Sequence, residues 1–436
     1  MNLNKKIGTQ DVCNWESWIA ALFLVLVAPF TNRYLMWIAF VIEIYRIFRS
    51  DEHSLMIELA FWVNFASIYR LENFGNAVGT LVVISAIWFP IKNKKFEKSI
   101  GLMISIALIM YLEMRSFGSL LDFIFVAASI LCVYMLVAKC TVEDSKKIAI
   151  AFILGVLIAS LYGYIFRESP ALSYYFVNDS FASMDYQEAL RFKAIYNDSN
   201  YYAVYLIVAM LLSLALYTLK KIRLVSMLVS VVALIFFGIQ TYSRTFFLMM
   251  MLFIVGGTIV LFKNKRYTAG TICLLTLFIL VTFTLSGKIT FFDVVLHRLL
   301  DAESATQMTS GRTDIWAEYI RFLVNNIIAL FVGVGFGGSL VGELGTHNLY
   351  LEIVYYVGCI GAVMYSLYII VLIVLMVKKR QVKYDSKVIM LIILPIIFMM
   401  IMYFSLQGMF QSSTYILLFV VLSALILPDD TKLLEK

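Results

Sequence analysis

The chain holds 436 residues, of which 62% are hydrophobic and only 14% charged, whereas soluble domains carry about 25% charged residues. That composition excludes a water-soluble globular enzyme, and the formal charge of +7 calls for a topological explanation before nucleic acid is invoked. Apolar runs recur from Trp18 to Leu427, and a hydrocarbon core about 30 Å thick takes roughly 20 helical residues per crossing. The expectation is an all-α polytopic membrane protein, with residues 1–436 forming a single membrane domain.

The first apolar run lacks the small-residue cleavage site of a signal peptide, and hydrophobic segments follow at once, so it reads as an anchor that stays. Spans are predicted near 17–31, 33–48, 55–71, 74–91, 99–115, 119–138, 147–166, 200–219, 222–240, 243–262, 267–286, 349–376, 387–404 and 409–427. With two tight pairs among them, this makes about 12–14 transmembrane helices. The connectors alternate in charge. Lys and Arg crowd "KNKKFEK" (92–98), "KCTVEDSKK" (139–147), "KKIR" (220–223), "KNKR" (263–266) and "KKRQVKYDSK" (378–387). By the positive-inside rule these segments and both termini face the cytoplasm, where they meet anionic headgroups. The positive charge is thus a signal of orientation, and no nucleic-acid partner is implied.

Two extracytoplasmic loops are long, 167–198 and 287–348, and both are net acidic. Loops of that length in a compact fold are functional or disordered, and their aromatic residues argue for order. Within the second, "KITFFDVVLHRLL" (288–300) sets Ile289, Phe292, Leu296 and Leu299 on one face, away from Asp293 and His297. It reads as a helix lying on the leaflet surface or packed on the membrane domain. "GRTDIWAEYIRFLVNNIIAL" (311–330) reads as one further helix, capped by Ser310 and ended by "GVGFGG". No internal repeat of the kind that builds many transporters is visible. The five cysteines fall in predicted helices or on the basic side and suggest neither a disulfide nor a metal framework. No D-x-D metal motif occurs on the outer side, and no cofactor is expected.

Four outer stretches stand out: "RFKAIYNDSNYYA" (191–203), "QTYSRTFF" (240–247), "SGRTDIW" (310–316) and "GTHNLYLE" (345–352). They supply Arg191, Arg244, Arg312 and His347. An arginine at membrane depth costs at least about 2.5 kcal/mol at the centre, so Arg244, opening an apolar helix, persists with a partner or a task. Its bland reading is snorkelling to headgroups, which is the expectation for Arg70 and Arg115. Asn348 and Glu352 are candidate hydrogen-bond partners of His347. Glu43, Glu58, Glu113 and Asp122 are assigned to internal polar pairing. As a group, three arginines and a histidine on one face would bind phosphate and accept a proton. The guanidinium fork matches phosphate oxygens, and imidazole titrates near neutrality.

In order along the chain these stretches resemble the O-antigen ligase and Wzy-type polysaccharide polymerase superfamily. The family shows R-x-x-G-x-x-x-(D)-P-N, then S-R-(T/G), then G-R-x-x-x-W before G-x-G, then H-N-x-x-L-x-x-x-x-x-x-G. Here they read Arg191 to Asn200, Ser243–Arg244–Thr245, Gly311–Arg312 with Trp316, Gly333 to Gly335, and His347–Asn348 with Leu351 and Gly358. Ala194 replaces the usual glycine and Ser199 the usual proline. The resemblance covers about 190–361. It implies the C-type glycosyltransferase-like fold of O-antigen ligases, in a bacterial cytoplasmic membrane with the active site extracytoplasmic. It further implies metal-independent, inverting glycosyl transfer from a polyprenyl-diphosphate-linked oligosaccharide, the lipid being undecaprenyl. His347 would be the general base, Arg244 and Arg312 would bind the diphosphate, and Arg191 would help position it. Asn200, Ser243, Asn348 and Glu352 would complete the substrate site. A flippase and a chain-length regulator of the same pathway are the implied protein partners. Polymerase is the favoured reading over ligase, with a flippase for the same lipid-linked sugars as the rival class.

Overall fold

The computed structural model describes residues 10–71, 75–93, 99–116, 119–169, 177–178, 191–285, 311–336, 345–380 and 386–428. The amphipathic segment 288–300 and Ser310 lie outside them. The helices are α1 (Gln10–Val27), α2 (Tyr34–Arg49), α3 (Glu52–Trp62), α4 (Ala77–Asn93), α5 (Ile100–Glu113), α6 (Leu120–Lys139) and α7 (Val142–Phe166), followed by α8 (Ser199–Thr218), α9 (Leu224–Ile239), α10 (Arg244–Lys263) and α11 (Tyr267–Leu285). The remainder are α12 (Arg312–Asn325), α13 (Ile327–Val332), α14 (Leu349–Lys378), α15 (Ser386–Met402) and α16 (Ser412–Ser423).

Every predicted span contains a helix. Five of these, α6, α7, α8, α10 and α14, are by themselves long and apolar enough to cross a membrane; α1, α4, α5, α9, α11, α15 and α16 hold shorter apolar helices, some continued by 3-10 turns. The chain is an all-α, polytopic membrane protein. Two small antiparallel pairs, β1 (Arg70–Leu71) with β2 (Gly75–Asn76) and β3 (Val177–Asn178) with β4 (Arg191–Phe192), were not legible in the sequence. Two residues are too few to show alternation.

Polar caps begin the helices. Asp51, Ser99, Ser119, Asp198, Ser243 and Asn348 each accept from a backbone N–H of the first turn, and Thr141 with Asp144 forms a capping box on α7. Each cap occupies a donor that the helix leaves unpaired. Basic residues close the other ends. Lys379 Nζ donates to the carbonyls of Val137, Ala138 and Cys140, Arg266 to that of Thr218, Arg380 to that of Leu425, and Lys92 to that of Ser50. Cations are favoured at helix C-termini because unpaired carbonyls carry the negative end of the dipole. The lysines gather in this way on one face of the bundle.

The core is built around α8, which is buried on almost its whole circumference and packs against α7, α9, α10 and α15. A helix apolar all round belongs inside. Its first turn therefore emerges at the centre of the face opposite the lysines. On α2, buried Glu43 and Arg46 meet Glu58 of α3, and Arg46 also bonds Ser17 of α1. The internal pairing expected of Glu43 and Glu58 is present.

Two expectations are corrected. Residues 311–330 form two helices, broken at Asn326, whose backbone leaves the helical region at φ −123° and ψ 80°. Gly311, in the left-handed region, precedes the first of them as its cap. Arg115 does not reach for headgroups: its guanidinium donates to the Gly333 carbonyl at 2.7 Å. That bond belongs to a strap. Val334 N and Gly335 N donate to the carbonyls of Tyr355 and Tyr356, at the point where α14 is interrupted by Gly358 (φ 69°). Gly358 breaks the i→i−4 ladder, and the strap supplies donors to carbonyls in the turn just before it. A Cβ on Gly333 would sit 2.3 Å from the Tyr356 oxygen, and one on Gly358 would sit 2.3 Å from that of Phe331. Only two glycines allow this approach.

Candidate functional site

The four stretches meet where α8 begins. Asp198 caps α8, accepting from Asn200 N at 2.7 Å. The Asn200 side-chain oxygen then accepts from the Arg191 guanidinium at 3.1 Å and from the Ser243 hydroxyl at 2.9 Å. Arg191 Nε donates to the Thr241 carbonyl at 3.1 Å. One amide thus ties β4, α8 and the tight turn before α10 together. Ser243 also caps α10 through Phe246 N, which fixes Arg244 as the first residue of that helix.

The turn preceding Asp198 is held from below. Tyr196 donates to the Asn64 side chain at 3.0 Å, and Ala194 adopts φ 46° against Gly163 of α7. Left-handed backbone of this kind is the region that glycine enters without steric cost. Tyr242 (φ 48°) and His347 (φ 47°) are left-handed as well. Three of the four stretches therefore hold a non-glycine residue in a conformation costing about 1–3 kcal/mol, which the surroundings must impose.

Arg312 opens α12, and Trp316 lies one turn on, on the same face. Trp316 Nε1 donates to the Thr346 carbonyl at 2.9 Å, drawing that face onto the segment carrying His347. The Thr346 hydroxyl donates to Asn348 O and accepts from Asn348 N, and Asn348 caps α14 through Leu351 N at 3.0 Å. His347 is clasped between a tryptophan-anchored threonine and a helix cap.

Electrostatics report the convergence. Burial pulls the Arg191 pKa down; Asp198 opposes this, while Arg312 and Arg244 reinforce it. Arg312 is lowered by burial, against the pull of Asp198 and Tyr201. His347 is held below its ordinary 6.5 first by burial, then by the Arg312 charge, with Asp198 opposing. Arg191, Arg244, Arg312, His347 and Asp198 share one electrostatic neighbourhood, with three cations against one carboxylate. Arginine stays charged under such shifts, whereas the imidazole is kept neutral, with a lone pair available at neutral pH.

The remaining candidates each hold the local fold through an oxygen. Glu352 is buried, and its Oε2 accepts from Gly408 N at 2.8 Å and Met409 N at 3.0 Å. It clamps the 406–411 turn and is not the partner of His347 that was expected. Asn348 caps α14 through Oδ1, and Asn200 Oδ1 accepts from both Ser243 and Arg191. Sequence reasoning missed two members. Asp198 looked like an ordinary cap in "YNDSN", and the available signal was a carboxylate inside an otherwise cationic motif. Tyr201 donates to the Gln407 carbonyl and is sensed by Arg312. Among the described residues no group of three or more His, Cys, Asp or Glu is placed to hold a metal ion. No protein-family model, curated protein or solved structure matches the chain.

Proposed function

We propose that the chain is a polysaccharide polymerase of the O-antigen ligase and Wzy-type superfamily, joining oligosaccharide units carried on undecaprenyl diphosphate at the extracytoplasmic face of a bacterial cytoplasmic membrane. The observation that supports this reading is a chain of neighbours on the face opposite the lysines: Trp316 ties the start of α12 to the segment of half-buried His347, Arg312 acts on both His347 and Arg191, and Arg244 acts on Arg191. A lipid diphosphate presents its charge at headgroup level, the level to which the proposed orientation assigns these groups.

In this mechanism an acceptor sugar hydroxyl attacks the anomeric carbon of the donor. The new glycosidic C–O bond forms as the bond from that carbon to the diphosphate oxygen breaks, and the electron pair leaves on the lipid diphosphate. The hydroxyl proton passes to the imidazole of His347. Arg244 and Arg312 offset the charge that builds on the leaving oxygen, and Arg191 positions the diphosphate. Asp198 limits the net positive charge and orients the first turn of α8. A flippase would deliver the donor, and a chain-length regulator would act on the product.

The rival transporter reading draws on polar groups along a path through the bundle. One such buried group, Glu43–Arg46–Glu58, is joined by its own ion pairs, and buried Glu352 is held by two backbone donors. Purified protein in nanodiscs, given an undecaprenyl-diphosphate-linked repeat unit, is expected to produce a ladder of products. A single transfer to lipid A core or to protein would instead assign a ligase, and no donor consumption with any acceptor would refute glycosyl transfer.

A further inference from the structure

Beside the cationic cluster, on the same face, two cavities of about 200 Å³ each open next to one another and share Ser67, Arg70 and Asn197. Each is smaller than a drug-sized pocket, but joined they enter that range, roughly 300–1,000 Å³. Their walls come from the 193–197 part of the first outer stretch and from parts of the chain that no motif connected: the turn after α3, the start of α4, α6 and the turn before α16.

The lining is mixed in a specific way. Arg70 and Asn197 are both exposed at the mouth, joined by a hydrogen bond of 3.2 Å, which leaves most of the guanidinium's five N–H donors for a ligand. Gln411 and Ser413 line the second cavity, with the rings of Phe125 and Phe410 as its apolar surface. Gly79 keeps that space open, since a Cβ there would come within 3.2 Å of the Phe125 ring. Neutral amides, hydroxyls, the Arg70 fork and the Lys193 ammonium alternate with aromatic carbon, and among the described residues no carboxylate lines either cavity. Such a surface suits a polyol: its hydroxyls both donate and accept, and its C–H faces lie against aromatic rings. It suits a lipid tail poorly, because buried amides would lose their hydrogen bonds.

The cavities also lead somewhere. Asn197 adjoins Asp198, which is coupled to Arg312 and His347. Gln411 meets the hydroxyl of Tyr201, and Tyr201 is coupled to Arg312. The mixed pocket thus borders, through Asn197 and Gln411, two residues that act on Arg312, namely Asp198 and Tyr201.

We infer that the paired cavities are a carbohydrate subsite, in which Arg70 and Asn197 hold sugar hydroxyls and Phe125 and Phe410 face the ring carbons of a saccharide extending from the cationic cluster. The inference rests on the glycosyl-transfer reading for the direction of the chain, but not for the binding itself.

The test is saturation-transfer NMR on the full-length protein in detergent, using pooled lipid-free bacterial tri- to pentasaccharides as the probe. Transfer to sugar protons is expected from the wild type. Arg70→Ala and Asn197→Ala change exposed side chains and should leave the fold intact, yet each should weaken binding roughly tenfold. Gly79→Val fills the second cavity and should do the same in protein whose melting temperature is unchanged. His347→Ala should leave saccharide binding in place. Signal confined to detergent protons, or saccharide binding untouched by both Arg70→Ala and Asn197→Ala, overturns the subsite. Saccharide binding without any product ladder would defeat the polymerase reading and leave the subsite standing; a ladder without saccharide binding would do the reverse.

Discussion

His347 occupies an unusual position: left-handed backbone, half-buried ring, and a guanidinium for a neighbour. Burial and Arg312 both disfavour its protonated form, so a base at this position remains competent below pH 6.5 and fails only as acid reaches its lowered pKa. His347→Ala should abolish polymer formation while the protein still accumulates in the membrane; polymer of near-normal length would remove the base role. Charge changes around it should act with opposite sign. Arg312→Gln removes a repulsion, so the acid limb of the residual rate should move to higher pH, though not fully to 6.5, because burial persists. Asp198→Asn removes an attraction, so the limb should move lower. Rate profiles in which neither variant shifts the limb would mean that another group titrates. Arg312→Lys keeps the charge but loses the fork. A charge-assisted hydrogen bond contributes about 1.5–3 kcal/mol, so turnover should fall roughly tenfold to a hundredfold; wild-type turnover would indicate a purely coulombic part.

Among elements, the strap and the interrupted α14 form a single unit. Gly333 and Gly358 each lie where a side chain would strike the other segment's backbone, and both have positive φ. Left-handed strain of about 1–3 kcal/mol and overpacking of about 1–3 kcal/mol should make Gly333→Ala and Gly358→Ala each destabilising by about 2–6 kcal/mol. Thermal unfolding in detergent measures this, and a melting temperature equal to wild type in either variant would contradict the packing. This unit also shows where sequence reading stops. Gly333, Gly335 and Gly358 were visible as motif glycines, but Gly358 sits in an unbroken apolar run, and one glycine costs a helix only about 1 kcal/mol. Periodicity therefore predicted a straight span. Arg115 was misread for a related reason: a cation at a helix end looks the same whether it faces a headgroup or a carbonyl more than two hundred residues away.

At the scale of the whole molecule, two faces of opposite chemistry flank an apolar belt. One is closed by lysines on helix carbonyls, and the other holds arginines, caps and strained turns. The proposed orientation can be read directly. In a background without native cysteines, Lys265→Cys should react with a membrane-impermeant maleimide only after permeabilisation, and Glu168→Cys should react in intact cells. The reverse pattern would place the cationic cluster in the cytosol and end the polymerase reading. Most of this architecture was legible, because apolar length and lysine placement are properties of short windows. The four stretches of the cluster were legible through their order alone; their contact depends on α8 lying at the centre, which its composition hints at and its neighbours decide. The paired cavities were not legible, since Arg70, Phe125, Asn197 and Gln411 come from four distant segments and none is unusual where it stands.

The strap has a bearing on biogenesis. Tyr111 and Arg115 are made early, yet they bond the carbonyls of Val357 and Gly333, separated from them by 246 and 218 positions. A ribosome feeding the membrane must release α5 into lipid with both side chains waiting, and the late hydrophobic segment can adopt its bend only on finding them. Maturation of this protein should thus include a consolidation step after the last segment has left the translocon, and a stalled chain ending before Gly333 should be handled by membrane proteases as unfinished.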